Sequence, residues 1–135
     1  MFDRRLVVAI RIVRLGTPRV RSEGVRVGTV RRPPRGIPKA EYAARDFYDV
    51  WLPNLAPSEQ LVKMALRAGD ERTWRSFAKR YRAEMSRPEP SRVLDLLAAL
   101  SHIAAMSLGC YCQDERRCHR SLLRELLAER GAALA

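Results

Sequence analysis

The chain has 135 residues, 47% of them hydrophobic and 30% charged, and carries a formal net charge of +11. That length predicts a single domain over 1–135 with a buried core, and the composition excludes wholesale disorder, collagen-like sequence and repeat arrays. Arg outnumbers Lys by 23 to three, and ten Arg fall in residues 1–36 against only Asp3 and Glu23. Such a concentration attracts anions, unless it reflects only solubility and an Arg-rich coding bias.

Residues 6–15 mix β-branched side chains with Arg11 and Arg14, which predicts a strand broken by Gly16, Thr17 and Pro18. Val25, Val27 and Val30 predict a second strand, paired with the first as a hairpin. The loop Arg31-Arg32-Pro33-Pro34-Arg35-Gly36 follows it. Pro38 opens a short helix to about residue 45, and residues 48–52 form a third strand closed by Pro53 and Asn54.

Pro57 and Glu59 start a helix that Gly69 ends. Trp74, Phe77, Ala78, Tyr81 and Met85 share one face of an amphipathic helix over 71–86, stopped by Pro88 and Pro90. Ser91 is placed to cap the next helix, in which Leu94, Leu97, Leu100 and Ile103 form a core face and His102 reads as a satisfied core histidine. Residues 106–112 read as a buried strand. In the final helix, ending before Gly131, Cys118 and His119 lie one turn above Leu122 and Leu123 on the inward side. Strands alternating with helices predict an α/β domain of three layers, with a small mixed sheet flanked by helices.

No segment reads as a membrane span, because the longest uncharged run, 96–113, contains Ser101, His102, Ser107 and Gly109. The first ten residues mimic a signal peptide, but Arg11 and Arg14 cut the apolar stretch short. A cytoplasmic protein is expected. Three cysteines packed between 110 and 118 fit a site in a reducing compartment better than a disulfide framework.

Four chemistries compete for Cys110, Cys112, Cys118 and His119. A phosphatase loop would run from Cys110 to Arg116, but Asp114 and Glu115 would repel the phosphate and no glycine opens the backbone to it. Zinc would need Cys118 and the adjacent His119 to meet one ion in an unusual spacing. Covalent haem attachment fails on spacing. The remaining reading is a reduced thiol pair, Cys110 at a strand end and Cys118 at a helix start, in a basic pocket. Cys118 acts there as nucleophile or redox thiol and His119 as base or hydrogen-bond donor, with no metal or other cofactor. Arg120, with Arg31, Arg32 and Arg35 of the proline-stiffened loop, would clamp an anion. Trp51 is a candidate base-stacking residue, since the core face accounts for Trp74 and Tyr81.

The segment from Gly28 to Gly36, the turn Ala56-Pro57-Ser58, and Cys110 followed by Cys118-His119-Arg120 resemble the domain of unknown function 488 family over nearly the whole chain. Cys112 stands where other members often carry an acidic residue. The resemblance implies a compact α/β domain and no settled activity. The expected ligand is a phosphate-bearing small molecule or nucleic acid. A non-enzymatic nucleic-acid-binding module and a structural zinc domain are the alternatives, and the sequence does not decide whether the chain is an enzyme.

Overall fold

The computed structural model describes residues 8–67 and 69–135, so the predicted strand's first two residues, 6 and 7, lie outside the described part. Four strands, β1 (Ile10–Arg14), β2 (Val25–Gly28), β3 (Val50–Trp51) and β4 (Met106–Cys110), form one sheet in the order β1-β4-β2-β3. Every pairing is parallel. The α/β class is as expected, but the sheet is not mixed and the first two strands form no hairpin. β4 is buried along its whole length and takes the centre, where its apolar run is covered on both faces. Residues 15–24 are long enough to cross from β1 past that position to β2.

Register sets the two faces. Ile10, Met106, Leu108 and Val27 point to one side, where α1 (Glu59–Arg67), α2 (Glu71–Met85), α3 (Pro88–Leu100) and α4 (His119–Glu129) pack on them. The alternate positions are small or polar: Arg26, Gly28, Ser107 and Gly109. Irregular chain covers them, so the third layer holds no α-helix; the helix expected over 38–45 is a single 3-10 turn, Lys39–Glu41. Glu23 reaches into this layer, where it accepts from Arg26 Nε (2.6 Å) and Nη2 (2.9 Å) and from the Ser107 hydroxyl (2.6 Å). Arg26 Nη1 donates to the carbonyls of Thr17 and Asp46, at 2.7 and 2.8 Å.

Tyr48 lies flat over Gly28, and a Cβ there would run into its ring. Gly28→Ala therefore displaces Tyr48 and is expected to destabilise the fold by roughly 1–3 kcal/mol, the usual cost of overpacking, read as a lower denaturation midpoint.

The periodic face of α2 is largely buried as predicted, through Phe77, Tyr81 and Met85. α3 begins earlier than expected. Pro88 occupies its first turn, where a missing N–H costs nothing, so Ser91 is inside the helix rather than its cap. Ile103 falls beyond the helix end and is exposed. His102 is likewise exposed and sits 2.9 Å from the Gly131 carbonyl instead of in the core. The C-terminal segment covers the β1 edge, with Ile10 N–H donating to Ala133 and Ala135 N–H to Ile10. Among the described residues no helix is long and apolar enough to cross a membrane.

Candidate functional site

β4 and β2 are parallel neighbours, and the segments that follow them carry the candidate residues past their carboxyl ends, where parallel sheets collect ligands. Cys110 ends β4. Asp114 caps the 3-10 turn Glu115–Arg117 by accepting from Arg116 N–H, and the turn delivers Cys118 to the start of α4. The three sulfurs converge: Cys110 Sγ is 3.7 Å from Cys112 Sγ, and all three lie within 4.8 Å of one another. Cys110 and Cys118 are buried, whereas Cys112 is exposed.

His119 is buried beside Cys118. Its Nε2 lies 2.7 Å from the Thr29 carbonyl, which can only accept, so Nε2 carries a proton and donates. That leaves Nδ1 facing Cys118 Sγ at 3.8 Å. Thr29 is fixed in turn by its hydroxyl, which donates to the Gly109 carbonyl at 3.0 Å.

Arg120 is almost fully buried, with 3% exposure. Its Nε donates to Cys118 Sγ at 3.4 Å and its Nη2 to the Cys112 carbonyl at 2.5 Å. Among the described residues no carboxylate pairs with it. A guanidinium keeps its charge at any ordinary pH, and a buried charge needs a counter-charge. The sulfurs are the groups in reach that can supply one.

Electrostatics within the cluster agree with that division. Hydrogen bonding to Cys112 and Cys118, followed by burial, pushes the Cys110 thiol up, so it holds its proton. Hydrogen bonds from Cys110 and Cys118, with the Arg120 charge behind them, draw Cys112 down to about 3. Cys118 is also lowered, first by hydrogen bonding with Cys110 and then by His119, against the opposing effects of Cys112 and burial.

The arginine loop meets this site only in part. Arg31 is turned inward and donates to the carbonyls of Pro57, Ala56 and Pro53, at 3.0, 3.2 and 3.3 Å, so it braces the chain rather than clamping an anion. Arg32 is exposed and pairs with Glu59. Arg32 and Arg35 line an open groove of about 410 Å³ with Phe47 and Tyr111. Tyr111 joins the loop to the thiols: it follows Cys110 in the chain, and its hydroxyl donates to the Arg32 carbonyl at 3.0 Å.

Thr29 and Tyr111 enter the site without having been singled out, and Cys112, weighed in the sequence only as a zinc ligand, joins it as a thiol. β4 stops at Cys110, after which Tyr111 stays half-buried against Phe47 and Cys112 turns out to solvent. Three sulfurs at this spacing suit a soft cation, whose Zn–S bonds of about 2.3 Å would set S···S near 3.8 Å. A closed four-ligand set is not assembled, because His119 Nδ1 faces Cys118 and is not grouped with all three sulfurs.

The profile of the DUF488-N3a family, described as the active DUF488-N3 subclade, matches residues 10–131. No curated protein and no solved structure matches the chain.

Proposed function

The chain belongs to the DUF488-N3a family, and from that premise we propose that it is a thiolate enzyme acting on a phosphate-bearing ligand, with Cys112 as the accessible sulfur. The observation that carries this reading is Arg120, a buried guanidinium directed at the Cys118 sulfur and the Cys112 carbonyl rather than at a carboxylate, beside three sulfurs that lie within 4.8 Å of one another. The profile's description as an active subclade also supports an enzymatic reading.

Each side chain then has a defined part. Cys112 presents its sulfur to solvent, Cys110 donates a hydrogen bond to it, and Arg120 neutralises the charge from behind. His119, pinned by the Thr29 carbonyl, faces buried Cys118 through Nδ1. In the covalent step the Cys112 sulfur gives an electron pair to an electrophilic atom of the ligand. The bond from that atom to its leaving group breaks, and the group departs with the bonding pair and is protonated by water. Attack by a second water on the same atom, with loss of a proton to solvent, returns Cys112 as thiolate. Arg32 and Arg35 line a groove with Tyr111, the residue between Cys110 and Cys112, and would hold an anionic group there.

Alkylation with iodoacetamide, mapped to individual cysteines by mass spectrometry, tests the reading. At about pH 6 an ordinary thiol is less than about 1% ionised. Cys112 should nevertheless react ahead of Cys110 and Cys118, and millimolar nucleotide or phosphate should slow it. Sluggish reaction at all three positions, or a Cys112 rate indifferent to every phosphate compound, contradicts the proposal.

The nucleic-acid-binding alternative loses part of its basis. Arg19 is bonded to Asp49, and Arg26 to Glu23, so these N-terminal cations already have internal anions. Backbone binding would still be recognised by a steep fall with salt that survives Cys112→Ser.

A further inference from the structure

A second cavity opens on the far side of Pro33 from the arginine groove. It has a volume of about 570 Å³, within the range of small-molecule sites, and Tyr42, Tyr48, Trp51, Lys39 and Asp49 line it together with Pro33. Trp51 is 43% exposed, yet its ring is not loose: indole Nε1 donates to the Val30 carbonyl at 2.7 Å. One edge is therefore anchored while the ring borders the cavity, a stacking platform already ordered before a ligand arrives.

Tyr48 is 4% exposed, and its hydroxyl is the buried side-chain polar atom with no hydrogen-bond partner among the described residues. Tyr42 packs edge-on against it, with ring centroids 5.3 Å apart. Asp49 is committed elsewhere, accepting from Arg19 and from the Arg26 backbone N–H. The cavity thus offers aromatic surface and a lysine, while the Tyr48 hydroxyl is sealed beneath it. Pro33 belongs also to the neighbouring groove with Arg32 and Arg35.

We propose that this cavity takes the base of a nucleotide, stacked on Trp51 beside Tyr42 and Lys39, with its phosphate directed past Pro33 toward Arg32 and Arg35. The inference rests on the phosphate-bearing ligand of the thiolate reading and gives that ligand its chemical class. Tyr48 also packs in the cluster that contains Cys110 and Cys118, so base site and thiol site share a wall. A free mononucleotide and a nucleotide within a strand carry the same recognised chemistry.

Tryptophan fluorescence of the full chain, titrated with adenosine and cytidine monophosphates, inorganic phosphate and a short single-stranded oligonucleotide, tests it. Saturable quenching by mononucleotide identifies the free ligand, and quenching by oligonucleotide alone places the base in a strand. In either case Lys39→Ala, which removes the cation lining the cavity, should weaken binding several-fold. Trp51→Leu, scored by calorimetry because it removes the fluorophore, should weaken it on the order of tenfold. Equal binding by both variants and the parent protein, or inorganic phosphate binding as tightly as any nucleotide, overturns the base site while leaving the thiolate reading intact. Nucleotide binding that both variants weaken but that never slows Cys112 alkylation upholds the base site and removes the thiolate reading's ligand.

Discussion

Replacing Arg120 by Leu is expected to move the pH–rate profile of Cys112 alkylation to higher pH, each unit of thiol pKa changing the thiolate-to-thiol ratio about tenfold at a given pH. The guanidinium stabilises thiolate and not thiol, so its removal raises the pKa of the sulfurs it faces. The Cys112 sulfur then needs a higher pH to ionise, and the pH–rate profile moves to the alkaline side. The fold should tolerate the change, because a thiolate that loses its counter-charge can take up a proton and become a small apolar group. Arg120→Lys keeps the charge but not the fork that joins Cys118 Sγ to the Cys112 carbonyl, and should fall between the two. Alkylation rates across pH for the three proteins are the measurement. Coincident profiles would mean that the buried arginine only packs.

The other large effect belongs to stability. Glu23→Ala leaves the wholly buried guanidinium of Arg26 with carbonyls alone, and unlike a thiol it cannot discharge itself. The expected loss is roughly 3–5 kcal/mol, a large part of the stability of an ordinary domain. Burial by itself would raise the Glu23 pKa, but the hydrogen bonds from Arg26 and Ser107 prevail and hold it below its usual value. A carboxylate whose folded pKa lies below its unfolded one contributes stability that is complete above the unfolded pKa, about 4.3. That stability disappears as the pH falls through the folded value. Denaturant midpoints of the parent protein should therefore drop below about pH 4, and those of Glu23→Ala should drop less. Parallel pH curves would contradict the assignment.

The parts of this fold legible in sequence are those governed by local period. The spacing of Phe77, Tyr81 and Met85 specifies a helix face without reference to the rest of the chain, and the i, i+4 relation of Cys118 to Leu122 places the thiol inward. The sheet depends on non-local competition. β2 carries the hairpin signals of a strand that should fold back on β1, but β4, some 80 residues later, is more apolar and displaces it from that edge. β3 is two residues long and exists because Val50 and Trp51 meet Val27 and Gly28.

The site divides in the same way. The motif Cys118-His119-Arg120 and its neighbour Cys110 could be read directly, since they occupy a strand end and the next helix start. What Arg31 does could not, because its acceptors are carbonyls on the turn at 53–57, which only tertiary packing brings near. Nor does spacing reveal that Cys112, rather than Cys118, is the sulfur facing solvent. Along a continued strand, 110 and 112 would share one face, and it is the end of β4 at Cys110 that separates their surroundings.

The most direct test of the central claim is a combined metal analysis and cysteine-resolved alkylation of protein purified under reducing conditions without chelator. A thiolate site neutralised by Arg120 predicts no stoichiometric metal, with Cys112 reacting at about pH 6 well ahead of Cys110 and Cys118. One zinc ion per chain, with all three thiols blocked until it is removed, would contradict the account and make the cluster a structural metal centre.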